Sequence, residues 1–183
     1  RDFVFNDNVT ANEQQDSPGQ HDHGTYVFSI AAGYKEGEVI GPAYGASFLL
    51  AKTEYVPTET HVEEDNYAAA LIWMENQGVD ITSSSLGYNQ FEDGGSYTYE
   101  DMNGNTTIVT KALNAAFNRG VVTITAAGNE GAGSWKHIIA PADAFNVLAV
   151  GAVDSGNQVA GFSSRGPTSD GRVKPDVVAQ GVM

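Results

Sequence analysis

The stretch from Val121 to Gly131, V-V-T-I-T-A-A-G-N-E-G, decides the fold. Its β-branched run, Val121 to Thr125, predicts a short buried strand that breaks abruptly into small residues and glycine from Ala126 onward. Asn129, directly after Gly128, then stands at the carboxyl edge of a predicted sheet, which is where open α/β sheets place their ligands. A side-chain amide there can donate a hydrogen bond to charge developing on a substrate oxygen. Taken alone, Gly128-Asn129 reads as a turn. The rest of the chain changes that reading.

Working upstream, Thr106 to Asn118 carries Val109, Ala112, Leu113 and Ala116 on one helical face and stops at Gly120. Before it, the polar, aromatic and acidic residues from Tyr88 to Gly104 form a long loop of the kind that is either functional or disordered. Val79 to Thr82 reads as a strand running into Ser83-Ser84-Ser85-Leu86-Gly87. An amphipathic helix is expected over 61–77, with Thr60 and Glu63 as its capping box and Tyr67, Ala70, Leu71 and Met74 on its apolar face. Ala46 to Lys52 is a further strand, Tyr26 to Ala32 a buried helix with His23 at its amino end, and residues 2–5 a short strand followed by an exposed loop to Gln20. Downstream, Pro141 introduces a turn, and strands follow at 146–153 and near 173–178. Strands separated by helices indicate α/β architecture: a doubly wound, mostly parallel sheet with helices on its faces.

With 183 residues, 41% of them hydrophobic, the chain can bury one sizeable core, so a single domain spanning 1–183 is expected. There is no cysteine, which excludes disulfides, thiolate metal sites and a cysteine nucleophile. Twenty-three acidic groups against nine basic ones give a net charge of −14 and argue against nucleic acid or an anionic membrane surface as partner. No apolar run approaches the roughly 20 residues of a membrane span. His21 and His23 complete no metal pattern with acidic or histidine groups elsewhere, so no metal ligands are assigned. No glycine-rich phosphate-binding pattern follows a strand either.

Four motifs, in order, resemble one family. These are H-G-T at His23 to Thr25, S-L-G at Ser85 to Gly87, A-A-G-N-E-G at Ala126 to Gly131, and F-S-S-R-G-P with K-P-D-V-V-A between Phe162 and Ala179. Their order and spacing resemble the subtilases, serine endopeptidases with a three-layer, doubly wound parallel sheet, mostly secreted, and the details look most like bacterial members. The resemblance implies that His23 is the general base and Asn129 the side-chain donor of the oxyanion hole. It further implies that Ser85, Leu86 and Gly87 pair with an extended peptide or protein substrate as an added strand. Ala126, Ala127 and Gly128 would line the primary specificity pocket, and Pro141 matches a position where the peptide bond is often cis. Calcium at surface loops is a family expectation for which spacing names no ligands.

The same mechanism needs an aspartate and a serine, and the chain shows neither in its family context. Asp16-Ser17 lies in a polar loop with no apolar strand ahead of it, and Asp154-Ser155-Gly156 comes after Asn129, against the family order. Ser163 and Ser164 precede a Gly-Pro turn and are no better as nucleophiles. In the family the aspartate's strand precedes the edge strand that 2–5 resembles and the serine motif follows the segment that here reads Ala179 to Val182, so the resemblance implies the aspartate before Arg1 and the serine beyond Met183. On this reading the chain is the middle of a secreted protease, inactive alone, with an incomplete sheet that segments of its own domain complete. Unpaired backbone is expected at 46–52 and 79–82. The alternative is a non-catalytic peptide-binding module that keeps the groove without the nucleophile.

Overall fold

The computed structural model describes residues 1–182, which fall into two compact units, Arg1–Glu59 and a second beginning at Thr60. The second unit holds the sheet. Helix α2 (His61–Asn76) starts with the predicted capping box, in which the Thr60 N–H donates to Glu63 Oε2 at 3.2 Å. It ends at Gly78, whose φ of +80° reverses the chain where a side chain would be strained. Strand β3 (Ile81–Ser84) follows. Helix α3 (Ile108–Asn118) is capped by the Thr107 hydroxyl, which accepts from the Thr110 N–H, and leads into β4 (Val122–Ala126). Strands β5 (Val147–Val153) and β6 (Val177–Gln180) complete a parallel four-stranded sheet in the order β3-β4-β5-β6.

The sheet alternates its side chains between two faces, and one face is covered by α2 and α3. On that side Thr82, Thr123, Thr125, Val147 and Ala149 are buried, and Tyr67 of α2 reaches Ser84 Oγ at 3.0 Å. Tyr67, Leu71, Val109, Leu113, Val147 and Ala149 form its core with Met102, Ile138 and the alanines at 140, 142 and 144. Each large apolar side chain so buried contributes about 1.5–3 kcal/mol. The opposite face carries Ile81, Val122, Leu148 and Val177, all exposed. Strand β3 pairs only with β4 among the described residues, in keeping with the unpaired backbone expected near 79–82. The peptide bond before Pro141 is cis.

The first unit departs further from expectation. Helix α1 (Asp22–Ala32) forms where predicted, but it has no buried residue, and Tyr26 and Ile30 are largely solvent-exposed. Residues 46–51 and 3–5 make no strand: the two segments meet at a single parallel bridge, Asp2 with Lys52. The unit has only 59 residues and a polar loop, too little to bury a helix and two strands. Its one regular ladder is a hairpin the sequence reading did not anticipate, β1 (Tyr34–Lys35) with β2 (Val39–Ile40). The loop from Asn6 to Gln20 is held by charge instead. Lys52 Nζ reaches both oxygens of Asp16 at 2.8 Å and contacts Asp2, all three side chains being buried. Burial alone would lower the Lys52 pKa, but the hydrogen bonds it donates to the Asp16 and Asp2 carboxylates outweigh that and raise it.

Candidate active site

The carboxyl ends of β3 and β4 lie side by side, because parallel strands paired in register end together. The residues that leave them are S-L-G on one side and A-G-N-E on the other. Ser85, Leu86, Gly87, Ala126, Gly128, Asn129, Glu130 and Ile139 line a cavity of about 190 Å³. Four separate observations explain its walls. A Cβ on Gly87 would sit 2.5 Å from Ile139 Cδ1, so a side chain there would push the isoleucine aside. Gly128 has φ +111°, a left-handed value, and a Cβ there would lie 2.8 Å from Ile139 Cγ1. The Ala127 C=O accepts from the Ile139 N–H at 3.3 Å, which draws the isoleucine in as the cavity's apolar base. Tyr88, just after Gly87, is pinned by its N–H to the Ala140 C=O at 2.8 Å.

Seven of the predicted site residues thus find a place in two settings. Ser85, Leu86, Gly87, Ala126, Gly128 and Asn129 share the cavity. His23 belongs to the first unit, in the first turn of α1, exposed and with no side-chain hydrogen-bond or ion-pair partner among the described residues. Ala127 is the exception: it is buried in the core, its N–H donating to the Val150 C=O at 2.9 Å, and it does not line the cavity. Along β4 alternate residues face opposite sides, so Ala126 and Ala127 cannot both face one pocket. Ile139 and Glu130 were missed by sequence reasoning. Glu130 stood inside the quoted motif and was legible as a neighbour of Asn129, whereas Ile139 arrives from a distant loop.

Asn129 is exposed, has φ −113° and ψ 18°, and makes no side-chain capping hydrogen bond to the 3₁₀ turn Glu130–Ala132 that it precedes. Its amide is therefore uncommitted at the cavity mouth. The loop 88–104 is tied down rather than loose: Tyr97 Oη donates to the buried Glu64 at 2.7 Å, and His61 stacks on Phe91 while its Nδ1 lies 3.0 Å from Asp93. For calcium, within the first unit, Asp2, Asp7 and Glu13 bring carboxylate oxygens within 4.8 Å of one another. The Lys52 ammonium already lies against the Asp2 carboxylate, so this group fits a divalent ion poorly and no chemistry is routed through one. No helix among the described residues is long and apolar enough to cross a membrane.

Comparison with known proteins bears on the family and the fold. The chain is 31% identical over 183 residues to a thermophilic serine proteinase of Bacillus sp. (strain AK1), covering 99% of this chain and 38% of that one. It is 35% identical over 161 residues to subtilisin Savinase of Lederbergia lenta, covering 87% and 51%. The chain thus spans about half or less of the length of these relatives. Among solved structures it resembles the prenylagaramide maturation protease PagA, with TM-score 0.62, 28% identity, 80% of this chain and 48% of that one. It also resembles the self-cleaved protease domain of PatA, with TM-score 0.63, 26% identity, 83% and 52%. The subtilase family model, peptidase S8, matches residues 1–183, and the chain belongs to that family.

Proposed function

We propose that this chain is part of a secreted subtilisin-like serine endopeptidase and supplies its peptide-binding edge, its oxyanion donor and its general base. The observation that carries the reading is the cavity shared by Ser85–Gly87 with Ala126, Gly128 and Asn129, with the Asn129 amide uncommitted at its mouth. An extended peptide would pair with the backbone of residues 85–87 and place one side chain in the cavity. A serine hydroxyl would attack the scissile carbonyl while His23 takes its proton, and His23 would return that proton to the leaving amine. The Asn129 Nδ2–H would donate to the oxyanion as it forms, stabilising charge absent from the ground state. No residue of this chain is assigned as the attacking serine or as the aspartate that orients His23, so the 183 residues alone should be inactive.

The test uses the full-length protein with a chromogenic peptide and a serine-directed phosphonate. Hydrolysis is expected, blocked stoichiometrically by the phosphonate and reduced at least a thousandfold by His23→Ala, since triad members act as a unit. The isolated chain should show none. Peptide binding without hydrolysis by the full-length protein would instead support the non-catalytic binding module and contradict the enzyme reading.

A further inference from the structure

The turn that carries Asn129 is gripped from behind by the segment Phe162–Ser164. Ser164 is 1% exposed, and its Oγ accepts from the Glu130 N–H at 2.9 Å. Its own N–H donates to the Gly128 C=O at 3.0 Å, and the Gly131 N–H donates to the Phe162 C=O at 2.8 Å. The peptide groups just before and just after Asn129 are therefore fixed, while the Asn129 side chain is left uncommitted. The contact has no slack. A Cβ on Gly131 would lie 2.2 Å from the Ser163 C=O, and one on Gly128 would lie 2.8 Å from Ser164 Oγ. Two of the three hydrogen bonds are backbone to backbone and would form with other residues in place. Only the bond to Glu130 depends on a side chain, and without it a peptide N–H directly beside Asn129 loses its acceptor.

We propose that Ser164 is a positioning residue for catalysis: its hydroxyl sets the orientation of the Asn129 amide by holding the Glu130 N–H. This rests on the reading of Asn129 as the oxyanion donor. An oxyanion donor works only when aimed at the place where charge develops, and a displacement of about 1 Å can cost on the order of a hundredfold in rate. Ser164 does not line the cavity, so its effect falls on turnover rather than on binding.

A double-mutant cycle in the full-length protease tests this, with kcat and KM measured for Ser164→Ala, Asn129→Ala and the pair. Asn129→Ala should lower kcat by about 10²–10³, the magnitude known from subtilisin's own oxyanion-hole asparagine. Ser164→Ala should lower kcat at least about tenfold and leave KM within about twofold, the signature of an interaction made only in the transition state. In the Asn129→Ala background it should cost less than about twofold, because there is no amide left to orient. If Ser164→Ala does not fold, Ser164→Cys takes its place in the same cycle, being close in size but a weak acceptor. An unchanged kcat, or an equal loss in both backgrounds, would overturn the proposal while leaving Asn129 as the donor. An Asn129→Ala variant with wild-type kcat would overturn the reading of the site itself, and the proposal with it.

Discussion

Glu64 shows how a single side chain in this protein is set by what surrounds it. It lies in the first turn of α2 with no exposure, accepting from Tyr97 Oη at 2.7 Å and, more weakly, from the Val109 N–H at 3.5 Å. Burial raises its pKa, and the two hydrogen bonds only partly offset that. A carboxyl raised on folding contributes stability that is fully present below its unfolded value of about 4.5 and is lost as pH rises through its folded value. Glu64→Gln removes the titration while keeping an acceptor for Tyr97. The variant should gain stability relative to the wild type between pH 4 and pH 8, read from urea unfolding at both. A difference that is the same at both pH values would contradict the assignment. The Asp16 carboxyl is shifted the other way: burial raises it, but Lys52 and the Glu13 N–H together lower it, and its contribution is lost only in acid.

At the scale of elements, α2 is the one whose sequence says most about where it begins. Thr60→Ala removes half of the capping box and should cost about 1 kcal/mol, a fall of roughly 2–4 °C in midpoint for a domain of this size. An unchanged midpoint in thermal unfolding would mean that packing alone fixes the start of the helix. The same local signals explain what was legible. Helices α2 and α3 and strands β3, β4 and β5 appear within a few residues of expectation, because caps, glycine stops and β-branched runs act locally. Strand β6 starts later than 173, at Val177, since Pro175 lacks an N–H and cannot join the ladder. The strand expected at 46–52 fails for a non-local reason. A ladder needs a neighbour, and the described residues give this segment only Asp2 at Lys52. For the site, the residues of the motifs were legible, but Ile139 as its base and Ser164 as its brace were not. Both act through tertiary contacts from segments that follow the Asn129 turn, and a serine's burial and partner leave no periodic signal.

At the scale of the molecule, two features stand together in the second unit. The helix-covered face of the sheet is a dense core, while the opposite face keeps Ile81, Val122, Leu148 and Val177 exposed and, among the described residues, β3 keeps an unpaired edge. Such a sheet is a scaffold whose loops at the carboxyl edge carry the chemistry, and the cavity lies there. The central claim is that Asn129 is the oxyanion donor of a peptide-cleaving site. It is tested most directly by a crystal structure of the full-length protein with a peptide aldehyde, whose adduct oxygen mimics the oxyanion. The account predicts Asn129 Nδ2 at about 2.7–3.1 Å from that oxygen and the peptide paired with residues 85–87. An adduct with the Asn129 amide turned away, or a peptide bound elsewhere, would contradict it.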